Sequence, residues 1–191
     1  MHSNKMKMVL DDFDYACQPS INRKKLEELS SLRFIDNKEN VLFLGPPGVG
    51  KTHLSTGLAV RACEAGYKVL FTTLNEMISV LMASLADNSF LAKLKTFIQP
   101  PLLVIDEVGY LPVPKEGANF LFQVVAKRYE TGSIILTSNK SFADWGDILG
   151  DSIIASAILD RLLHHSTIFS IKGTSYRLRE KKEELVRKEE K

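Results

Sequence analysis

The chain has 191 residues, of which 45% are hydrophobic and 25% are charged. That composition is ordinary for a globular protein, and the length suits one domain with a full core and a short arm. The formal net charge is only +2, so bulk charge indicates no nucleic-acid partner, although local basic patches could still serve one.

Other features narrow the class of protein further. The two cysteines, Cys17 and Cys63, have neither metal-binding nor redox spacing and predict reduced thiols. No apolar run approaches the length of a membrane-spanning helix, and the first residues lack the apolar segment of a signal peptide. A cytoplasmic protein with no membrane partner is therefore expected, from the absence of alternatives.

The predicted elements alternate along the chain after a polar, mixed stretch at residues 1–39, in which residues 21–32 predict a short helix. Short apolar runs predict strands at residues 41–44, 69–73, 102–105, 133–137 and 167–171. Helical patterns cover residues 51–65, 76–97 with a break near residues 88–89, 120–129 and 153–163. Strands that alternate with helices predict an α/β fold, with a parallel sheet covered by helices on both faces.

The first strand leads into a phosphate-binding loop of the pattern G-x-x-x-x-G-K-T. Its glycines let successive backbone N–H groups point at phosphate oxygens. Lys51 can reach the β- and γ-phosphates, and the Thr52 hydroxyl can hold Mg²⁺. The strand before and the helix after it favour this interpretation over a glycine-rich turn before an ordinary helix. The predicted cofactor-binding residues are Gly45, Pro46, Pro47, Gly48, Val49, Gly50, Lys51, Thr52 and His53.

Polar residues follow the third and fourth predicted strands. Asp106 suits the Mg²⁺ shell, and Glu107 suits a general base that deprotonates water. The alternative is a pair of surface acids in a loop, but four aliphatic residues precede them directly. Asn139 can contact the γ-phosphate or the attacking water, and its alternative role is to form a turn.

Arg161 has two interpretations that the residues alone leave open. It is either an arginine finger that acts on the nucleotide of a neighbouring subunit, or half of a surface pair with Asp160. His164 and His165 follow it, and we interpret them as helix-end residues because a metal site would need further ligands.

The last segment, residues 176–191, is a run of mixed charges that predicts a charged helical tail. Its alternatives are a frayed surface helix and a dedicated contact with DNA or protein. The chain thus divides into an arm flanking the nucleotide site at residues 1–39, an ATPase core at residues 40–175 and this tail.

Several strings together carry a resemblance to one family. The chain resembles the IstB family of AAA+ ATPases, which assist transposition of certain insertion sequences and are similar to DnaC-type helicase loaders. The strings are GPPGVGKTHL (45–54), LLVIDEVGYLP (102–112), FQVVAKRYETGSIILTSN (122–139), FADWGDILGD (142–151), AILDRLLHHS (157–166) and IKGTSYRLR (171–179).

The resemblance implies an ATP-driven, Mg²⁺-dependent homo-oligomer on duplex DNA that recruits and stimulates the transposase of the same insertion sequence. It also implies that residues 13–15 approach the adenine. By the family's motif positions, Lys51 and Thr52 would form Walker A, Asp106 and Glu107 Walker B, Asn139 sensor 1, Arg161 the arginine finger and Arg177 a second sensor.

Two other functions stay open at this point. One is a DnaC-like loader of a replicative helicase, and the other is an ATP-dependent DNA-binding module with negligible turnover. Family members usually carry a further domain before the arm, so we expect the partner and DNA contacts of that domain to be missing here. Within the chain, the candidates for DNA contact are Lys115, Lys127, Arg128, Lys140 and the basic residues of the tail.

Overall fold

A single parallel sheet organises the computed structural model, which describes residues 18–176 and residue 178. The strands within these residues are β1 (Asn40–Leu44), β2 (Val69–Thr73), β3 (Leu102–Val108), β4 (Ser133–Ser138) and β5 (Ser166–Ser170). They lie in the order β2-β3-β4-β1-β5, and every neighbouring pair is parallel. The predicted parallel sheet is therefore confirmed. The predicted strands agree to within one residue except β3, which continues three residues beyond its predicted end.

Helices connect the strands. They are α1 (Arg23–Leu29), α2 (Arg33–Asp36), α3 (Lys51–Glu64), α4 (Leu74–Ala86), α5 (Phe90–Ile98), α6 (Lys115–Arg128), α7 (Trp145–Leu149) and α8 (Ser152–His164), with a short 3-10 helix at Phe142–Asp144 before α7. In the part of the chain described here, none of these helices is long and apolar enough to cross a membrane.

Some helix boundaries differ from the predicted ones, and one predicted break is confirmed. The helix predicted over residues 21–32 is shorter in the structure, because α1 ends at Leu29 and Leu32 adopts a left-handed backbone with φ of 63° before α2 begins at Arg33. The predicted break near residues 88–89 is confirmed, since α4 ends at Ala86 and α5 begins at Phe90. Helix α4 begins two residues earlier than predicted, where the Thr73 hydroxyl accepts from the backbone N–H of Glu76 and the Glu76 carboxylate accepts from that of Thr73.

The sheet is covered on both faces, as predicted. Successive side chains of a strand point to opposite faces. Val41 and Phe43 accordingly pack with apolar residues of α1, α2 and α3, whereas Leu42 between them packs with those of α4 to α8. Burial on both faces explains why residues 102–105 of β3 and 134–136 of β4 are unbroken apolar runs.

Arg128, at the end of α6, is a buried cation that joins the turn after α5 to the start of β4. Its guanidinium is 1% exposed and donates to the carbonyls of Phe97, Ile98, Pro100, Pro101 and Ser133 at 2.7–3.1 Å. Burial lowers the pKa of Arg128 to about 10, so the group stays charged at neutral pH. The prediction that Arg128 contacts DNA is wrong, because its side chain is enclosed by the protein.

Candidate nucleotide-binding site

The phosphate loop joins the end of β1 to the start of α3 at Lys51. Gly45, Gly48 and Gly50 have φ of 152°, 80° and 98°, a region that favours glycine. Gly50 is the cap residue of α3, so the positive end of the helix dipole faces the loop. Such a loop before a helix N-terminus is a binding site for phosphate.

The remaining predicted loop residues divide by burial. Pro46 and Pro47 are exposed, whereas Val49 is fully buried in the core. His53 is half-buried in the first turn of α3. Val49 therefore anchors the loop, and its contribution to phosphate binding is limited to its backbone.

Lys51 lies inside the loop. Its ammonium is 6% exposed and donates to the carbonyls of Gly45 and Pro46 at 2.7 and 2.8 Å. Both acceptors are neutral, and hydrogen bonds from a cation to an anion are stronger. Phosphate oxygens can therefore replace these carbonyls as partners of Lys51.

Thr52, Asp106 and Thr137 form a chain of side-chain hydrogen bonds beside the loop. The Thr52 hydroxyl donates to the Asp106 carboxylate at 3.0 and 3.2 Å, and the Thr137 hydroxyl donates to the same carboxylate. Asp106 is only 3% exposed. A carboxylate beside a hydroxyl is a set of hard oxygen donors, which fits Mg²⁺.

Thr137 is the residue of this site that the sequence interpretation missed. The predicted fourth strand ends at this threonine, but the sequence predicts a catalytic role only for Asn139, two residues later. The parallel pairing of β3 with β4 brings Thr137 beside Asp106. This contact depends on the register of two strands that are far apart in sequence. The signal in the sequence that could have indicated Thr137 was a polar residue at the end of a predicted strand.

Glu107 has an unusual backbone. Both Asp106 and Glu107 lie within β3, not after it, and the pairing with β4 shifts between Ile105 and Val108. Glu107 has φ of 64°, its side chain is exposed, and its N–H donates to the Thr137 hydroxyl at 3.0 Å. A left-handed residue other than glycine or asparagine costs about 1–3 kcal/mol and is concentrated at functional sites.

Asn139 follows β4 and is half-buried. Its side-chain oxygen is buried and has no hydrogen-bond partner within the described residues. Gly109, which has φ of 92°, lies so close that a Cβ there would be 3.0 Å from this oxygen. A buried amide oxygen without a partner calls for an additional group, and water or a bound ligand can supply it.

Arg161 is not brought to the loop. It lies on α8, where its guanidinium donates to the carbonyl of Ala157 at 2.9 Å and stacks over the Phe122 ring at 5.2 Å. In the described part of the chain it forms no ion pair with Asp160. The surface ion pair between Arg161 and Asp160, which was the alternative to an arginine finger, is therefore absent from the described residues.

The segment after β5 returns over the phosphate loop. The N–H of Ile171 donates to the carbonyl of Leu44 at 2.7 Å, and that of Tyr176 donates to the carbonyl of Gly48 at 3.0 Å. A Cβ on Gly48 would collide with the side chain of Ser175. Arg177 comes next, but this residue, residues 13–15 and the tail after residue 178 lie outside the described residues.

Comparisons with known sequences agree with this geometry. The model of the family described as IstB-like ATP binding protein matches residues 1–184. A protein named for ATP binding in insertion sequence IS5376 of Geobacillus stearothermophilus is 52% identical over 173 residues, 91% of this chain and 69% of that protein. Its counterpart in IS21 of Pseudomonas aeruginosa is 51% identical over 173 residues, 91% of this chain and 65% of that protein. The chain thus spans about two thirds of the length of these curated relatives.

A solved structure of the DnaC helicase loader has the same fold. It superposes with a TM-score of 0.69 at 22% identity, over 89% of this chain and 99% of that one. The P-loop fold of AAA+ type that the resemblance implied is therefore confirmed. With a family match over nearly its whole length and two relatives above half identity, the chain belongs to the family of IstB-like ATP binding proteins.

Proposed function

We propose that this chain binds ATP with Mg²⁺ and hydrolyses it to ADP and phosphate. The observation that carries the proposal is the bonded chain of Thr52, Asp106 and Thr137 beside the loop that holds Lys51. Lys51 would exchange its two carbonyl partners for phosphate oxygens, and the loop N–H groups would bind the remaining ones. The family's description as ATP-binding supports the choice of nucleotide.

Thr52 and Asp106 would hold Mg²⁺, whose positive charge offsets that of the phosphates. Glu107 would accept a proton from the attacking water as the water oxygen bonds to the γ-phosphorus and the bond to the β-phosphate oxygen breaks. Its exposed side chain, on a backbone turned away from the ladder, leaves the carboxylate free to face that water. Asn139 would orient the water or the γ-phosphate through its amide, whose oxygen has no hydrogen-bond partner within the described residues.

The catalytic test uses three variants of the full chain. Glu107→Gln should keep nucleotide binding and slow hydrolysis by roughly 10²–10⁴-fold, the usual effect of losing a positioned base. Lys51→Ala should lose nucleotide binding. Glu116→Gln, at another exposed glutamate in the first turn of α6, should change neither nucleotide binding nor turnover. Unchanged turnover in Glu107→Gln would falsify the base assignment, whereas negligible turnover in the wild type would favour a DNA-binding module that does not hydrolyse ATP.

We further propose that ATP drives assembly of a homo-oligomer on duplex DNA, and that the assembly stimulates the transposase of the same insertion sequence. The relatives named for insertion sequences support this role. Arg161 lies away from its own loop, which suits action on a neighbouring subunit's nucleotide. Lys115, Lys127 and Lys140 are exposed and remain candidates for phosphate contact.

A titration of labelled duplex DNA tests the assembly step. DNA binding should occur with ATP, but not with ADP or without nucleotide, because the nucleotide would lie where subunits meet. It should also weaken with salt, with a slope near −0.9 for each phosphate contact. Equal affinity in all three nucleotide states contradicts coupling between ATP and assembly.

The fold similarity to the DnaC helicase loader keeps a second function in view. A loader would stimulate deposition of a replicative helicase on DNA, whereas a transposition helper would stimulate strand transfer by its transposase. Both assays, run with wild type and Lys51→Ala, separate the two functions. If the chain stimulates only helicase deposition, the helicase-loader function replaces the transposition proposal.

A further inference from the structure

We propose that Glu130, His164 and His165, here called the Glu–His–His cluster, bind a zinc ion. One nitrogen of each imidazole and one carboxylate oxygen of Glu130 lie within 4.8 Å of one another. His165 Nε2 is 3.8 Å from Glu130 Oε1, and the two imidazole centroids are 4.0 Å apart. The third ligand that the histidine pair lacked in the sequence is thus supplied by a turn more than thirty residues earlier.

Hydrogen bonds of Asn40 hold the two segments of the cluster in place. Glu130 lies in the turn between α6 and β4 with φ of 58°, whereas the histidines end α8 and precede β5. Asn40 ties both segments to β1, since its side chain donates to the carbonyl of Leu162 at 3.1 Å and accepts from the N–H of Ile134 at 2.9 Å. The N–H of Asn40 also donates to the carbonyl of His165. The side chains of the cluster therefore project from a fixed frame.

Tyr129 orients one of the ligands. Its hydroxyl lies 2.7 Å from Nδ1 of His164, and the two rings stack with centroids 5.8 Å apart. If the tyrosine oxygen accepts from Nδ1–H, the neutral tautomer has its lone pair on Nε2, where a metal can bind. A hydrogen bond to the second nitrogen is the usual way in which a protein fixes a metal-binding histidine.

The ligand types select the metal. Two imidazoles and a carboxylate suit Zn²⁺, with water in the fourth position, and suit Mg²⁺ poorly because that ion prefers oxygen ligands. Tetrahedral bonds of about 2.1 Å require ligand atoms about 3.4 Å apart. All three side chains are exposed. A change of side-chain rotamer can therefore bring the ligand atoms closer by the remaining ångström or so. The end of α8 adds carbonyl groups that favour a cation.

The cluster is separate from the nucleotide site. It lies where β4 and β5 begin, whereas the phosphate loop follows the carboxyl end of β1 in the same parallel sheet. An ion here would join the α6–β4 turn to the end of α8, one turn beyond Arg161. Binding of zinc should therefore be independent of ATP and should raise the melting temperature by mass action.

The test is a calorimetric titration of Zn²⁺ into the untagged full chain, with Co²⁺ absorption as a second probe of coordination. Wild type should bind one ion and gain thermal stability. His164→Gln, His165→Gln and Glu130→Gln should each lose at least tenfold in affinity, and Tyr129→Phe about 10–100-fold. Glu64→Gln, at an exposed glutamate on α3, and Lys51→Ala should bind as wild type does.

Two controls keep the result decisive. Circular dichroism of the metal-free variants detects unfolding, and side-chain nitrogen NMR of the wild type identifies which histidines shift with zinc. A thiolate-to-Co²⁺ charge-transfer band would reveal binding at an exposed thiol such as Cys63. Absence of binding in wild type, binding through thiolate, or binding that survives in a His164→Gln/His165→Gln double variant overturns the proposal.

Discussion

Replacing Thr137 by valine tests whether one buried hydroxyl positions both proposed catalytic carboxylates. The hydroxyl donates to Asp106 and accepts from the backbone N–H of Glu107 at 3.0 Å. Valine keeps the shape of the side chain and removes both bonds. Because Thr137 is 1% exposed and Asp106 is 3% exposed, water cannot readily replace the lost partner.

The magnitude follows from these two bonds. A hydrogen bond to a charged group contributes about 1.5–3 kcal/mol and a neutral one about 0.5–1.5 kcal/mol, so Thr137→Val should lose about 2–4.5 kcal/mol of unfolding free energy. For a chain of this size that corresponds to a fall in melting temperature of about 4–18 °C. Turnover should fall on the order of 10²-fold, because small displacements of catalytic groups have effects of that size.

Thr137→Ser is the matched control. It keeps the hydroxyl and loses one buried methyl group, which costs about 1 kcal/mol. Urea unfolding and steady-state ATP turnover of the two variants separate the contributions of packing and hydrogen bonding. Serine should preserve turnover and valine should not. If the two variants hydrolyse ATP equally well, the hydroxyl does not position Asp106 and Glu107, and the reasoning fails.

Three further predictions concern other positions. Glu107→Asn should raise the unfolding free energy by about 1 kcal/mol, since asparagine tolerates its left-handed backbone, and should abolish turnover; denaturant unfolding shows whether strain is relieved. Arg128→Met should lower the unfolding free energy by about 3–5 kcal/mol, because several buried carbonyls lose their donor and each unsatisfied one costs about 1–3 kcal/mol, while Lys127→Met at the exposed neighbouring position should have little effect. Arg161→Ala should lower turnover about 10³-fold with nucleotide binding intact. Mixing it with Lys51→Ala subunits should restore activity, and a mixture no more active than its parents contradicts action in trans.

Much of the fold could be predicted because apolar periodicity reflects burial directly. The strands buried on both faces, such as residues 102–105, are unbroken aliphatic runs, and the break near Asn88 coincides with polar residues between two apolar stripes. The left-handed backbone of Leu32, which separates α1 from α2, was not predictable. Leucine has no preference for a left-handed backbone, so the surrounding packing determines that conformation.

The candidate site was predictable only where its parts lie close together in sequence. The loop from Gly45 to Thr52 is continuous, and Asp106 directly follows the four aliphatic residues that begin β3, so local pattern was sufficient. Thr137 and Glu130 acquire their partners through the order and register of the strands, which local pattern does not contain. Sequence interpretation therefore located the loop and the acidic residues proposed to bind the nucleotide, and missed residues whose partners come from a separate strand or helix.

The register shift in β3 offers a physical reason why the two acidic residues can have different roles. In a regular ladder, Glu107 would use its N–H to pair with β4, but here that N–H donates to the Thr137 side chain. The same hydroxyl holds Asp106, which stays buried beside Thr52, whereas Glu107 turns outward on its left-handed backbone. One threonine thus contacts both the buried carboxylate that we propose holds Mg²⁺ and the exposed carboxylate that we propose accepts a proton from water. The arrangement requires a polar residue at position 137, and this requirement is independent of the motif by which the phosphate loop is recognised.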